Sequence, residues 1–413
     1  MTTTKNNEHK KLNFSSERDQ SQACLNSAEH EKNQGRKVLN VPNLRFKEFQ
    51  GEWEEKRLSE IADLFKGNGI SKEQLTDTGE PCILYGELYT KYKSEVISDI
   101  FSKTDIDTRK LVKSKANDVI IPCSGETAVD IATARCVPYD NILLGGDLNI
   151  IRLYDCDGSF MSYQLNGKRK YDLAKVAQGV SVVHLYGDHL KGVRTYNPCL
   201  EEQKKIAKLL SLLDERIATQ NKIIDKLQTL IKGISSRIFA SIQGIEYRMG
   251  DIVTITNGNS NVQDAVTQSK DGLYPFFDRS EDIKYLPTFL FDKEAIIYPG
   301  EGTEFMPRYF KGKFALHQRC YAIFDFNEII NARFLYFYLK TRNSYFVKNA
   351  VGSTVPSLRL DTFQKIKVII PPKKIQHSVS LCLSSMEQKC NVEKKILHKL
   401  LKQKQYLLRQ MFI

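Results

Sequence analysis

The segment Asn197–Ile217, NPCLEEQKKIAKLLSLLDERI, predicts the start of a long amphipathic helix. Its proline suits a helix entrance, where a missing N–H is tolerated, and apolar residues then recur three and four positions apart. A second segment, Ile370–Cys390, IPPKKIQHSVSLCLSSMEQKC, repeats the pattern 173 residues further on, with Pro371 at the position of Pro198. The chain is therefore predicted to contain two similar long helices, which we call the central and the terminal helix.

The apolar spacing along both helices alternates between four and three, which is the pattern of a coiled-coil seam. The seam residues are Ile206, Leu210, Leu213, Ile217, Ile224, Leu227 and Ile231 in the central helix, and Val379, Leu383, Met386, Leu397 and Leu400 in the terminal helix. Each helix could pack on its own domain, but a seam this narrow and long favours an antiparallel pair of the two helices. A polar residue interrupts each seam at matching positions, Gln220 and Glu393. The register that decides whether these two residues meet stays open.

The segments before the two helices also match each other. Gly179, Val182 and Leu185 recur 173 residues later as Gly352, Val355 and Leu358, and the starts RLSEIADLFKGN (57–68) and RMGDIVTITNGN (248–259) align at an offset of 191. The middles differ in length and sequence, so the chain holds two copies of one domain with a shared frame and different contents.

These patterns predict an α+β fold, a tandem repeat of two mixed α/β domains that are each followed by a long helix. The predicted boundaries are a disordered polar tail at 1–43, a first domain at 44–199, the central helix at 200–243, a second domain at 244–372 and the terminal helix at 373–413.

Composition narrows the function classes. The chain has 413 residues and a formal net charge of +12, and 41% of its residues are hydrophobic. That is enough apolar material for packed cores. The positive charge suits a nucleic acid, although a basic protein with solvated lysines or an acidic membrane surface would fit the charge as well. We find no run of about 20 apolar residues, the length a membrane span requires.

The nine cysteines are scattered and form no CxxC pair, which predicts free thiols in a reducing compartment and no metal site. The N-terminus has no apolar segment of the kind found in a signal peptide. We therefore expect a cytoplasmic protein.

The sequence contains none of the common catalytic motifs in complete form. There is no Walker A loop, HExxH or GxSxG. FKGNG (65–69) fits the glycine motif of adenine methyltransferases, but NPCL (197–200) lacks the second proline and the aromatic ring of their target-base motif. Asp118 and Glu126 flank a strand as nuclease carboxylates do, but the expected lysine after Glu126 is missing. His184 and His317 are isolated, which favours structural or polar-contact roles.

From about Leu44 onward the chain resembles the DNA-specificity subunits of type I restriction–modification systems. The resemblance rests on LRFKEFQGEWEEKRLSEIADLFKGNG, GGDLNIIRL, QGVSVVHLYGDHLKGVRTYNPCLEEQKKIAKLLSLLDERI and a degenerate second copy ending LLRQMFI. The second copy departs from the P-x-x-E-E-Q helix start, because Lys373, Lys374 and Ile375 precede Gln376.

The resemblance implies two target-recognition domains, each reading half of a split site in double-stranded DNA, with the paired helices setting the spacing. It implies two methyltransferase subunits that use S-adenosylmethionine and two restriction subunits that use ATP and Mg²⁺ as partners. The chain itself would hold no cofactor and catalyse nothing.

Polar residues in predicted loops of the divergent middles are the candidate DNA contacts: Ser124, Glu126, Thr127, Arg135 and Ser181 in the first domain, and Arg279, Arg308, Gln318, Arg319, Ser353 and Thr354 in the second. The alternatives are a stand-alone nucleic-acid-binding module without enzymatic partners, a nuclease with an unrecognised site, and a purely structural coiled-coil protein.

Overall fold

A computed structural model describes residues 39–179 and 182–413. Most of the predicted polar tail lies outside the described residues. In the part of the tail that is described, the carbonyl of Asn40 accepts a hydrogen bond from the Trp53 N–H at 2.7 Å. The chain divides into two compact units: a first unit up to Leu212 that also includes Lys404–Ile413, and a second unit, Leu213–Gln403.

The central helix runs over Leu200–Ser241 and the terminal helix over Lys373–Gln410. Each start is held to its own domain by a buried glutamine. Gln203 accepts from the Asp157 N–H at 2.9 Å and donates to the Pro198 carbonyl at 2.9 Å. Gln376 makes the equivalent bonds to the Asn331 N–H and the Pro371 carbonyl, both at 2.8 Å.

The two helices contact each other in antiparallel order. In the first unit, Ile206 and Leu210 near the start of the central helix pack with Leu407 and Met411. In the second unit, Phe239 near its end belongs to one apolar cluster with Leu383. Each helix also packs on its own domain, so both packing arrangements weighed from the sequence occur together.

The polar interruptions of the seam meet. Gln220 donates from Nε2 to Glu393 Oε2 at 2.6 Å and to the Glu393 carbonyl at 3.1 Å. Lys389 lies 2.5 Å from the other carboxylate oxygen of Glu393. This ammonium group and the Gln220 amide lower the pKa of the Glu393 carboxyl. Every predicted seam residue is buried or half-buried: Ile206, Leu210, Leu213, Ile217, Ile224, Leu227, Ile231, Val379, Leu383, Met386, Leu397 and Leu400.

Two sheets form the first unit. The four-stranded antiparallel sheet has the order Ala62–Lys66, Leu148–Leu153, Asp118–Pro122, Arg135–Val137, and the five-stranded sheet has the order Leu75–Thr76, Ser102–Thr104, Glu80–Ile83, Leu143–Leu144, Val112–Lys113. Short two-stranded pairs join Glu54–Arg57 to Arg194–Asn197 and Ser124–Gly125 to Val183–His184. The helices are Leu58–Ile61, Glu87–Thr90, Ala128–Ile131, Gly158–Asn166, Lys170–Lys175 and Gly187–Lys191. Because Asp118–Pro122 is buried along its whole length, this strand lies at the centre of the core.

The second unit has one large sheet. Its six strands lie in the order Thr254–Asn257, Cys320–Phe324, Phe291–Pro299, Arg308–Leu316, Tyr274–Phe277, Lys284–Leu286. Ile245–Arg248 pairs antiparallel with Lys367–Ile370, as Glu54–Arg57 pairs with Arg194–Asn197 in the first unit. The helices of the domain are Ala332–Lys340, Asn343–Asn349 and Leu360–Lys365. The mixed α/β architecture with two long helices that the sequence predicts is confirmed.

Candidate nucleic-acid interface

Gly67 follows the edge strand Ala62–Lys66, and Gly258 follows the edge strand Thr254–Asn257. The two glycines form the same turn. Gly67 N donates to the Leu148 carbonyl at 2.9 Å, and Asn68 N donates to the Leu144 carbonyl at 3.1 Å. A Cβ on Gly67 would lie 2.0 Å from the Gly145 carbonyl oxygen, so only glycine fits. In the second unit, Gly258 N donates to the Cys320 carbonyl at 3.2 Å and Asn259 N donates to the Leu316 carbonyl at 3.1 Å. A Cβ on Gly258 would lie 2.0 Å from the Leu316 carbonyl oxygen.

A glycine loop is also shared. In the first unit Gln178 and His184 exchange backbone hydrogen bonds of 2.8 and 2.6 Å, and Leu185 N donates to the Cys123 carbonyl at 2.8 Å. Gly179 has φ of +123°, a conformation that L side chains rarely adopt. In the second unit, Val351 and Ser357 exchange the equivalent backbone hydrogen bonds, and Leu358 N donates to the Gly300 carbonyl at 2.8 Å. Gly352 has φ of +104°.

These turns bring four short segments together at one edge of the central sheet in each unit. We call them the first loop cluster (66–68, 123–127, 145–147 and 182–187) and the second loop cluster (257–259, 300–304, 317–319 and 351–359). The backbone frame is the same in the two clusters, while most of the exposed side chains differ. Loops on a rigid scaffold are where binding residues concentrate.

One side-chain contact crosses each cluster at equivalent positions. In the first cluster the Ser124 hydroxyl lies 3.4 Å from Asp147 Oδ2. In the second cluster Arg319 Nη1 lies 2.7 Å from Glu301 Oε1. Asp147 is exposed, and the Arg319 side chain is 63% exposed.

A basic and aromatic group that was not predicted from the sequence lies at the first cluster. Lys66 and Tyr186 are exposed, and His184 and His189 are half-buried. The rings of His184 and Tyr186 stack at 5.9 Å, His189 meets Tyr186 edge-on at 5.5 Å, and Lys66 Nζ lies 5.4 Å from the Tyr186 ring centre. Tyr186 is 43% exposed. The only sequence signal was the run HLYGDH, in which the three rings are two and three residues apart.

The predicted contacts of the first domain fall into two groups. Ser124, Glu126 and Thr127 lie in the first loop cluster, and Glu126 and Thr127 are exposed. Thr127 caps the helix Ala128–Ile131 through its hydroxyl, which accepts from the Asp130 N–H at 3.1 Å. Arg135 is buried and donates to the carbonyls of Tyr92 and Ala134. Ser181 lies outside the described residues.

The predicted contacts of the second domain are similarly divided. Gln318 and Arg319 form the turn before Cys320–Phe324, and Ser353 and Thr354 are exposed in the glycine loop. Arg279 is exposed in a separate loop.

Arg308 is a partly buried side chain that holds a loop. It donates to the carbonyls of Ser280 and Asp278 and stacks on Phe277 with 5.0 Å to the ring centre. Burial lowers the pKa of the Arg308 guanidinium.

Residues of the nuclease-like pair do not come together. Asp118 is buried and receives two hydrogen bonds from Arg152, at 2.9 and 2.7 Å, whereas Glu126 is exposed in the first loop cluster. Within residues 39–179 and 182–413, no group of three His, Cys, Asp or Glu side chains is arranged to hold a metal ion. In the same residues, no helix has the length and apolar character to span a membrane.

A cavity of about 770 Å³ opens beside the first loop cluster. It is lined by Tyr85, Tyr89, Lys93, Ser124 and Glu126, among others. Tyr89 donates its hydroxyl to the Ser124 carbonyl at 3.0 Å, so the cavity wall supports one side of the cluster.

Residues 50–229 and 245–402 each match the type I restriction modification DNA specificity domain. These two segments cover most of the chain, and the chain belongs to this family. The resemblance inferred from the sequence is confirmed, and the double match agrees with the tandem repeat.

Among characterised proteins, the chain is similar to the type I restriction enzyme EcoDI specificity subunit of Escherichia coli, with 29% identity over 138 residues, 33% of this chain and 30% of that protein. It is also similar to the MjaVIII specificity subunit of Methanocaldococcus jannaschii, with 27% identity over 201 residues, 47% of this chain and 44% of that protein. The aligned segments thus span less than half of each relative.

The fold is similar to that of the S subunit of a type I restriction-modification system from M. genitalium, with a TM-score of 0.65 and 19% identity over 90% of this chain and 99% of that one. A second similar structure comes from work on complex assembly and conformational transition of the type I R-M system. It gives a TM-score of 0.50 and 14% identity over 87% of this chain and 97% of that one. Both similarities establish the fold.

Proposed function

We propose that the chain is the DNA-binding specificity subunit of a type I restriction–modification complex and recognises a bipartite site in double-stranded DNA. The observation that carries the proposal is the pair of loop clusters, which share one backbone frame and carry different side chains. Two such clusters suit two unlike half-sites, because side chains on a fixed frame decide which base edges are bound.

The charge of the chain supports the same proposal. A formal net charge of +12 favours a polyanion, since lysine and arginine release the counterions condensed on phosphates. Exposed Lys66 and Arg319 lie in the two clusters, where phosphate contact and base contact would coincide.

The paired helices would set the gap between the half-sites and dock the partners, two methyltransferase subunits and two restriction subunits. Exposed apolar side chains on these helices support docking: Leu230, Val392 and Leu381, the last 62% exposed. These side chains lie outside the seam, where a docked subunit would cover them. S-adenosylmethionine, ATP and Mg²⁺ would then be bound by the partners, with this chain as a non-catalytic subunit.

Long-read mapping of adenine methylation in the host genome, with and without the gene, tests the proposal. We expect one two-part motif with a fixed gap to lose methylation when the gene is removed and to regain it on complementation. A genome whose methylation is unchanged, combined with a purified chain that binds DNA but captures no methyltransferase, would favour a stand-alone nucleic-acid-binding module.

A further inference from the structure

The two loop clusters share one frame, so residues of the first have counterparts in the second. Backbone hydrogen bonds show which residues correspond. Cys123 and Gly300 accept from the equivalent donors Leu185 and Leu358, so Ser124 corresponds to Glu301. The strand register gives the second correspondence. Leu148 pairs with Pro122 as Cys320 pairs with Pro299, so Asp147 corresponds to Arg319.

The two corresponding positions contact each other in both clusters, and the charge of the turn residue is reversed between them. In the first cluster a carboxylate on the turn, Asp147, faces a hydroxyl, Ser124. In the second cluster a guanidinium on the turn, Arg319, faces a carboxylate, Glu301. The same position on one frame therefore presents only acceptors in one unit and only donors in the other.

Hydrogen bonds hold both turn residues in place. The Asp147 carbonyl accepts from the Cys123 N–H at 2.7 Å, and Asp147 has φ of +58°. The Arg319 N–H donates to His317 Nδ1 at 3.2 Å, and Glu301 takes up one of the guanidinium nitrogens. A side chain fixed at its base and by one neighbour loses less entropy on binding.

Major-groove chemistry gives each turn residue a partner. A carboxylate accepts from the amino group of cytosine, while a guanidinium binds the O6 and N7 acceptors of guanine. We propose that Asp147 and Arg319 are the base-reading residues of the two half-sites, Asp147 selecting a cytosine and Arg319 selecting a guanine, and that Ser124 and Glu301 position them. This inference rests on the proposed function and adds which side chain reads which kind of base.

The test exchanges the pair within one unit at a time. The variant Ser124→Glu/Asp147→Arg gives the first cluster the pair of the second, and Glu301→Ser/Arg319→Asp does the reverse. Each full-length variant replaces the wild-type gene in the host, and adenine methylation is mapped by long-read sequencing. We expect one base pair of one half-site to change in each variant, from cytosine to guanine or from guanine to cytosine, while the other half-site is unchanged.

A milder variant covers the case in which an exchange abolishes methylation. Arg319→Lys keeps the charge but loses the two-pronged geometry, so discrimination at a single base pair should fall by roughly 10- to 100-fold. Arg248→Lys, the same change at an exposed arginine outside the clusters, is the matched control and should leave the motif unchanged.

The outcomes separate the inference from the proposed function. If the wild-type gene directs no motif, the proposed function fails. If it directs a motif that Arg319→Lys and both exchanges leave with the same base preferences, or that they alter in both halves together, the pairs do not read bases and the inference is overturned.

Discussion

Phe412 tests whether the residues that follow the terminal helix complete the core of the first unit. Its side chain is 2% exposed. It packs on Phe160 with ring centres 5.3 Å apart and on Trp53 at 6.4 Å. Phe239 has the equivalent place in the second unit, 5.5 Å from both Phe334 and Tyr338. The replacement Phe412→Ala removes a buried ring from this cluster.

The loss of stability follows from the burial of the Phe412 side chain. Phenylalanine-to-alanine changes in packed cores cost about 3–5 kcal/mol of unfolding free energy, from lost transfer energy and the cavity left behind. For a domain of this size each kcal/mol lowers the melting temperature by about 2–4 °C. We therefore expect Phe412→Ala to lower the midpoint of the first unit by roughly 10 °C.

Trp53 makes this change measurable, because it is the single tryptophan of the chain and lies in the same cluster. Its fluorescence during thermal unfolding reports on the first unit. Tyr406→Ala, in the terminal helix and 58% exposed, is the control and should leave the midpoint within about 1–2 °C. A Phe412→Ala midpoint as high as that of this control would refute the packing argument.

Three further changes have defined outcomes. Gln220→Leu/Glu393→Leu should melt no lower than wild type by circular dichroism, because an apolar pair replaces a buried polar one, whereas Gln220→Leu alone should melt lower. Gln203→Leu leaves two backbone groups without their partner and should cost the first unit about 2–4 kcal/mol in urea unfolding followed by Trp53 fluorescence. Burial lowers the pKa of His317, so below about pH 6.5 the unfolded chain takes up the proton first and the second unit loses stability. His317→Gln should reduce that loss, and an unchanged pH profile would contradict it.

The helices were the part of the fold that the sequence predicted best. Their seam is a local periodic signal, and Pro198 and Pro371 mark the starts within two residues of Leu200 and Lys373. The meeting of Gln220 with Glu393 stayed open, because register is fixed by packing at both helix ends and not by the seam pattern.

The candidate site was harder to predict from the sequence. The choice of polar residues in predicted loops included Ser124 and Arg319 but not Asp147 and Glu301, which contact them. Nothing in the sequence shows that residues 23 and 18 positions apart meet. Arg135 was chosen as a polar residue of a predicted loop, yet its side chain is buried and donates to backbone carbonyls, a placement that depends on tertiary structure.

Enrichment from a pool of random-sequence DNA duplexes by the purified full-length chain, followed by sequencing, would show whether the chain recognises a two-part site. We expect two short motifs of different sequence at one fixed spacing, with binding that weakens as salt rises. A single continuous motif, or no sequence enriched over the starting pool at any salt concentration, would contradict it.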